Sequence, residues 1–166
     1  TLGGTGTVGG ATTLNSGGFL SAGDGGIGTL TFEEDGAPLN SLDISDSGLS
    51  GSLLFDLGAS GTGDLVVVEG QISIGNGLLD MDDFAFTNLG ATSVTGTYTW
   101  NLFQVGSYDF TTLGSNTTST PFASIKSASL AISGDFIQLT MTVPEPSSIA
   151  LLGLGLSSLL LRRRRS

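Results

Sequence analysis

The chain has 166 residues, of which 27 are glycine, 39% are hydrophobic and only 12% are charged. This composition favours a single domain of strands and tight turns over helices. It has no cysteine or histidine, which excludes disulfide bonds, thiolate or imidazole metal sites and catalysis by Ser-His or Cys-His pairs. The net charge is −10, and fourteen acids but a single base, Lys126, precede Pro144. This acidic part would repel phosphate backbones, so we expect no nucleic-acid partner.

The first thirty residues alternate short apolar or threonine-rich pieces with glycine turns. The pieces lie at Val8, 11–14, 19–20 and 27–32. Strands this short, joined by glycine turns, are typical of a β-solenoid, in which each coil contacts only its neighbours. The sequence GDGGIG at 23–28 has the spacing of a dinucleotide-binding loop, but TLTF follows it and predicts a strand, not the helix that such a site requires.

Further strands are predicted downstream, at GSLLFDL ending at Leu57, and at 64–75, 95–105, 124–133 and 135–143. In the last of these, Ile137, Leu139, Met141 and Val143 share one face, and Gln138, Thr140 and Thr142 share the other. In 95–105, Tyr98, Trp100 and Leu102 point one way, and Thr97, Thr99 and Asn101 the other. The apolar run 65–68 predicts a strand covered on both faces. Turn signals at 35–36, 60–61, 76–77 and 133–134 separate these runs, so the sequence predicts an all-β fold.

The body, residues 1–143, resembles the repeat-bearing β-helices of autotransporter-like passenger proteins. The matching stretches are GGTGTVGGATTLNSGGFLSAGDGGIGTLTF, GSLLFDLGASGTGDLVVVEGQISIG and GTYTWNLFQVGSYDF. The resemblance implies a right-handed parallel β-helix completed by a more irregular β cap. A β-sandwich is the alternative, and it would differ in having antiparallel pairing throughout. Because the first residues read as the middle of a repeat and begin at Thr1, we expect the body to be truncated at its amino terminus.

Candidate chemistry in the body is sparse. Asp80, Asp82 and Asp83 form the densest acidic spot, and their hard oxygen ligands make them weak candidates for a calcium site. Neither the EF-hand pattern nor the glycine-aspartate repeat of calcium β-rolls is present. We expect the fourteen acids to be surface charge, and we expect no cofactor and no enzymatic activity, since no acid lies in a recognisable catalytic motif.

The last residues, VPEPSSIALLGLGLSSLLLRRRRS, differ from everything before them. Pro144, Glu145 and Pro146 precede an apolar segment, 147–161, which would form about 22 Å of helix. This is shorter than the ~30 Å hydrocarbon core, although arginine stems can make up part of the difference. By the positive-inside rule, the cluster Arg162, Arg163, Arg164 and Arg165 stays in the cytoplasm and stops translocation, with the body outside.

Residues 144–166 resemble the PEP-CTERM sorting domain of exported proteins of Gram-negative bacteria. The resemblance rests on the Pro-Glu-Pro sequence, the apolar segment and the terminal arginines in this order. It implies recognition by exosortase, a membrane-embedded cysteine transpeptidase that would cut near the Pro-Glu-Pro, and transient anchoring in the inner membrane. The final location would be the cell surface, the outer envelope or the extracellular space, in an exopolysaccharide or biofilm setting.

We therefore expect an exported structural or adhesive protein of the cell surface or extracellular matrix, with exopolysaccharide as a candidate partner. The alternative is a secreted β-helix protein that binds or degrades polysaccharide.

Overall fold

The computed structural model describes residues 1–34, 40–45, 49–74, 79–114, 118 and 121–145. Pro146, the apolar segment 147–161, the arginine cluster 162–165 and the turn signals at 35–36 and 76–77 lie outside the described residues. Within the described part of the chain, no helix is long and apolar enough to cross a bilayer.

The described residues form short strands joined by turns. The strands are β1 (Leu2–Gly4), β2 (Gly6–Val8), β3 (Thr12–Thr13), β4 (Leu20–Ala22), β5 (Thr29–Phe32), β6 (Asn40–Asp43), β7 (Leu53–Gly58), β8 (Leu65–Ser73), β9 (Phe84–Leu89), β10 (Gly96–Tyr108), β11 (Ser127–Ser133) and β12 (Phe136–Val143). Single 3₁₀ turns lie at Ala59–Gly61 and Met81–Asp83. The prediction of a mostly β fold is confirmed, and the glycine-rich loop 23–28 leads into strand β5 as expected.

The strands form two sheets, and the chain alternates between them. One sheet has the order β1-β4-β7-β9, with every neighbour parallel. The other has the order β11-β12-β10-β8-β5-β2, in which β2, β5, β8 and β10 are parallel, and short β3 and β6 extend the parallel pairing beside β8. The β-sandwich alternative is wrong, because it requires antiparallel pairing throughout.

Equivalent positions of successive strands stack and form the core. In one sheet Leu20, Leu53 and Phe84 are in register. In the other, Leu30, Val66 and Phe103 are in register, and all six side chains are buried. The ring of Phe55 lies 5.8 Å from that of Phe84 and 5.4 Å from that of Phe103, so aromatic packing joins the two sheets.

Strand β8 is buried more deeply on one face than on the other. Val66 and Val68 have no exposed surface, whereas Leu65 and Val67 are half-buried. The apolar run 65–68 therefore predicted a strand correctly, but the coverage that it predicted for both faces is complete only on the inward face. The inward face packs in the core, and the outward face keeps contact with solvent.

The last three strands form an antiparallel cap. Strand β12 pairs with β10 on one side and β11 on the other. Ile137, Leu139 and Met141 are fully buried and Val143 is 5% exposed, as the alternation predicted. Trp100 in β10 is also fully buried, and its indole Nε1–H donates a 3.1 Å hydrogen bond to the carbonyl oxygen of Gly58. The cap is thus anchored to the parallel strands beneath it.

Candidate sorting site at the end of strand β12

Strand β12 remains paired on both sides almost to its last residue. Thr142 lies opposite Thr97 in β10 and Ser127 in β11, and Val143 lies opposite Gly96. The backbone N–H of Lys126 donates to the carbonyl oxygen of Thr142 over 2.8 Å. The ordered sheet therefore reaches the residue immediately before Pro144.

Pro144 and Glu145 follow the strand directly and are exposed. Proline has no backbone N–H, so Pro144 cannot donate a further ladder hydrogen bond and is suited to end the strand. The structure thus places two of the three predicted motif residues in solvent, beyond the last paired residue, where an enzyme can reach the backbone without opening the sheet. The third, Pro146, is outside the described residues.

The family model described as PEP-CTERM protein-sorting motif matches residues 142–165. The chain therefore carries this sorting motif, as its sequence predicted, and the match begins within the last two residues of β12. The motif indicates a protein that is exported, targeted to exosortase and sorted at the membrane. The chain matches no curated protein and no solved structure.

A groove lies on the outward face of β11 and β12, next to the start of the motif. It is open, has a volume of about 600 Å³, and is lined by Thr118, Lys126, Ser127, Ala128, Ser129, Thr140 and Thr142. The hydroxyls of Thr140 and Thr142 lie 3.0 Å from those of Thr99 and Thr97 in β10. Five of the lining residues carry hydroxyls and one carries a positive charge, and none of the described lining residues is an acid.

The weak calcium candidates do not converge on a common point. The backbone N–H of Asp80 donates to Asp83 Oδ2 over 2.7 Å, so the Asp83 carboxylate closes the 3₁₀ turn. Burial raises the pKa of the Asp83 carboxyl; this hydrogen bond opposes the rise, and the charges of Asp80 and Asp82 add to it. Among the residues that the structure describes, no group of three or more acidic side chains is arranged to hold a metal ion.

One acid expected at the surface is in fact buried. Asp64 is 1% exposed; its Oδ1 accepts from the N–H of Gly28 over 2.8 Å, and its Oδ2 accepts from the N–H of Asp56 over 2.7 Å. Burial raises the pKa of the Asp64 carboxyl, although both backbone hydrogen bonds oppose that rise. Asp64 joins the turn before β5 to strand β7, a structural role that nothing in its sequence context signals.

Proposed function

We propose that this protein is an exported, non-enzymatic structural or adhesive component of the cell surface or extracellular matrix. Exosortase would cut it near Pro144–Pro146 after the carboxyl-terminal segment has held it briefly in the inner membrane, with Arg162–Arg165 on the cytoplasmic side. The observation that carries this proposal is the position of the motif: β12 is paired as far as Val143, and Pro144 and Glu145 are exposed directly after it.

The proposed body is a short parallel β-helix, closed at one end by the antiparallel cap. Three features support it: the alternation of the chain between two sheets, the parallel pairing of successive strands, and the stacking of equivalent apolar positions. A repetitive scaffold of this kind offers long outer surfaces, which suits contact with other matrix components, including exopolysaccharide. The groove beside the motif carries hydroxyls and an ammonium group, not the pair of carboxylates that glycoside hydrolysis requires.

The processing step can be tested by the intact mass of the protein made in its host, with and without the sorting enzyme. We expect a species that ends between Val143 and Pro146 only when the enzyme is present. Glu145→Ala should prevent its formation. Asp135→Ala removes the same charge at the opposite end of β12 and should be processed normally. A full-length mass in both hosts, or equal processing of the two variants, would refute the proposal.

The stability of the body should not depend on the residues that follow Glu145. A chain that stops after Glu145 keeps every pair of β12 and should unfold in urea at the same concentration as the full chain. Stopping after Leu139 removes the buried side chains of Met141 and Val143, each worth about 1.5–3 kcal/mol. The free energy of unfolding of this shorter chain should be lower by about 3–6 kcal/mol. Equal stability of both truncations would contradict the role assigned to β12.

A further inference from the structure

Charge is distributed unevenly along the body. Residues 1–83 contain twelve acids and no base, whereas residues 84–143 contain two acids, Asp109 and Asp135, and one base, Lys126. Asp109 follows the last residue of β10, and Asp135 precedes the first residue of β12. Because β10 and β12 are antiparallel, both acids lie at the end of the cap opposite to Val143. The end from which the sorting motif leaves is therefore the less acidic end of the cap.

The hydroxyl-lined groove lies at this same end. Lys126 and Ser127 lie beside Thr142. Thr142 directly precedes Val143, the last residue of β12. Lys126 is exposed and is the only base of the chain outside the terminal arginine cluster. An ammonium group and hydroxyls are both hydrogen-bond donors of the kind that bind a phosphate group.

The sorting motif limits how far the groove can be from a membrane. Only Pro144, Glu145 and Pro146 separate Val143 from Ser147, where the apolar segment begins. Fully extended, these residues span no more than about 14 Å, and each headgroup layer of a bilayer is itself about 5–8 Å thick. With the apolar segment inserted, the groove is held beside the lipid headgroups.

We infer that this groove binds the phosphate of an anionic phospholipid in the leaflet that faces the body. The inference rests on the proposed function, since it requires the anchored state. Binding orients β12 with its carboxyl end toward the bilayer and brings Pro144 and Glu145 to the depth of a membrane-embedded enzyme. Repulsion of the lipid by Glu69, the acid of β8, is weak at the groove, because β11 lies three strands, about 14 Å, from β8 and the Debye length is about 8 Å at physiological salt.

The chain contains a single lysine, so acetylation of amines read by mass spectrometry reports directly on the groove. The full chain is inserted into phosphatidylcholine vesicles with or without phosphatidylglycerol. Phosphatidylglycerol should slow acetylation of Lys126 about five-fold, and high salt should remove this protection. Acetylation of the α-amino group of Thr1, the internal reference, should be the same in both vesicles. Equal reactivity of Lys126 in both vesicles would overturn the inference.

Two matched variants separate the groove from a general surface effect. Ser129→Ala removes a groove hydroxyl and should lose most of the protection, since one hydrogen bond is worth about a five-fold change. Thr87→Val alters an exposed hydroxyl of β9 in the other sheet and should keep it. Equal protection in both variants would overturn the assignment to the groove.

Soluble ligands distinguish the lipid from other anions. Inorganic phosphate or a soluble polyuronate, added to phosphatidylcholine vesicles, should leave Lys126 reactive; protection by phosphate would mean an unspecific anion site, and protection by polyuronate a glycan site, and either overturns the lipid assignment. Flotation of the vesicles distinguishes failure of the proposed membrane anchoring from failure of this inference alone. If the chain does not float with them, the proposed anchoring fails as well; if it floats and Lys126 is not protected, only this inference fails.

Discussion

Replacement of Asp64 is the sharpest test of how the parallel strands are held together. Its carboxylate is almost fully buried and accepts backbone N–H groups from Gly28 and Asp56 with its two oxygens. Asp64→Asn keeps the shape of the side chain but exchanges one acceptor oxygen for a donor NH₂. Whichever way the amide is turned, one of the two backbone N–H groups loses its acceptor.

The expected loss follows from these contacts. A buried donor without an acceptor costs about 1–3 kcal/mol. Removing the charge returns part of the desolvation cost that raises the pKa of this carboxyl, so Asp64→Asn should lower the free energy of unfolding by about 1–2 kcal/mol. Asp64→Ala leaves both N–H groups without acceptors and should cost about 2–4 kcal/mol.

Urea unfolding, followed by the fluorescence of the only tryptophan, measures these differences, since Trp100 is fully buried in the folded chain. Asp24→Asn is the matched control, because Asp24 is exposed and its replacement removes the same charge; it should change the free energy of unfolding by less than about 0.5 kcal/mol. If Asp64→Asn is as stable as this control, the carboxylate does not join the turn before β5 to strand β7, and the reasoning is wrong.

The same group predicts a pH dependence. A raised pKa means that the folded chain binds the proton more tightly than the unfolded chain, whose ordinary value is 3.8. The stability contributed by Asp64 is then complete below that value and is lost as the pH rises through the folded pKa. Acidification from neutral pH should therefore raise the free energy of unfolding, and less so in Asp64→Asn than in Asp24→Asn. Equal pH profiles of the two variants would contradict this.

Two further substitutions test the cap and its contact with β8. Trp100→Phe removes the buried hydrogen bond to Gly58 and should lower the free energy of unfolding by about 1–3 kcal/mol, read by circular dichroism since the fluorophore is lost; an unchanged value would contradict the contact. Gly106→Ala places a methyl group against the carbonyl oxygen of Glu69 and should cost about 1–3 kcal/mol, whereas Gly26→Ala meets no atom within 4 Å and should be tolerated. Equal stability of the two alanine variants would refute the close approach of β10 to β8.

Alternation along the sequence predicted the cap well, because a half-buried antiparallel strand shows its two faces in every second residue. The faces of β12 and of the first half of β10 are as expected. After Asn101 the pairing with β12 shifts by one residue, so Leu102 and Phe103 are both buried. A bulge of this kind depends on the partner strand and cannot be predicted from the sequence of β10 or of β12 alone.

Strands β1, β6 and β9 were not predicted, for different reasons. β1 and β6 are three and four residues long, too short for a period to be recognised. β9 does alternate, with Phe84 and Phe86 on one face, and this signal could have identified it. The parallel partners of these three strands could not be read from the sequence, since each lies about 18–31 residues away along the chain and is selected by shared burial in the core.

The candidate site, like the fold, was predicted only in part from the sequence. The Pro-Glu-Pro sequence, the apolar segment and the arginines were recognisable because they are contiguous. The groove was not, since its lining comes from β11, β12 and Thr118, and serine and threonine in alternating strands look like ordinary solvent-facing positions. Asp64 was missed because a single acid after a turn looks the same whether its oxygens meet water or backbone N–H groups.

The Pro-Glu-Pro residues that the structure describes lie outside the sheet that stabilises the body. β12 lies between two other strands and is paired with both of them as far as Thr142, and its inward side chains are buried. A cut beyond Val143 breaks a bond outside the sheet and removes no packed side chain of the described body. If the motif followed an edge strand or a loop, fewer contacts would hold the residue that precedes it. A central strand is held by hydrogen bonds on both sides, so removal of the residues beyond Val143 should leave the fold of the body unchanged.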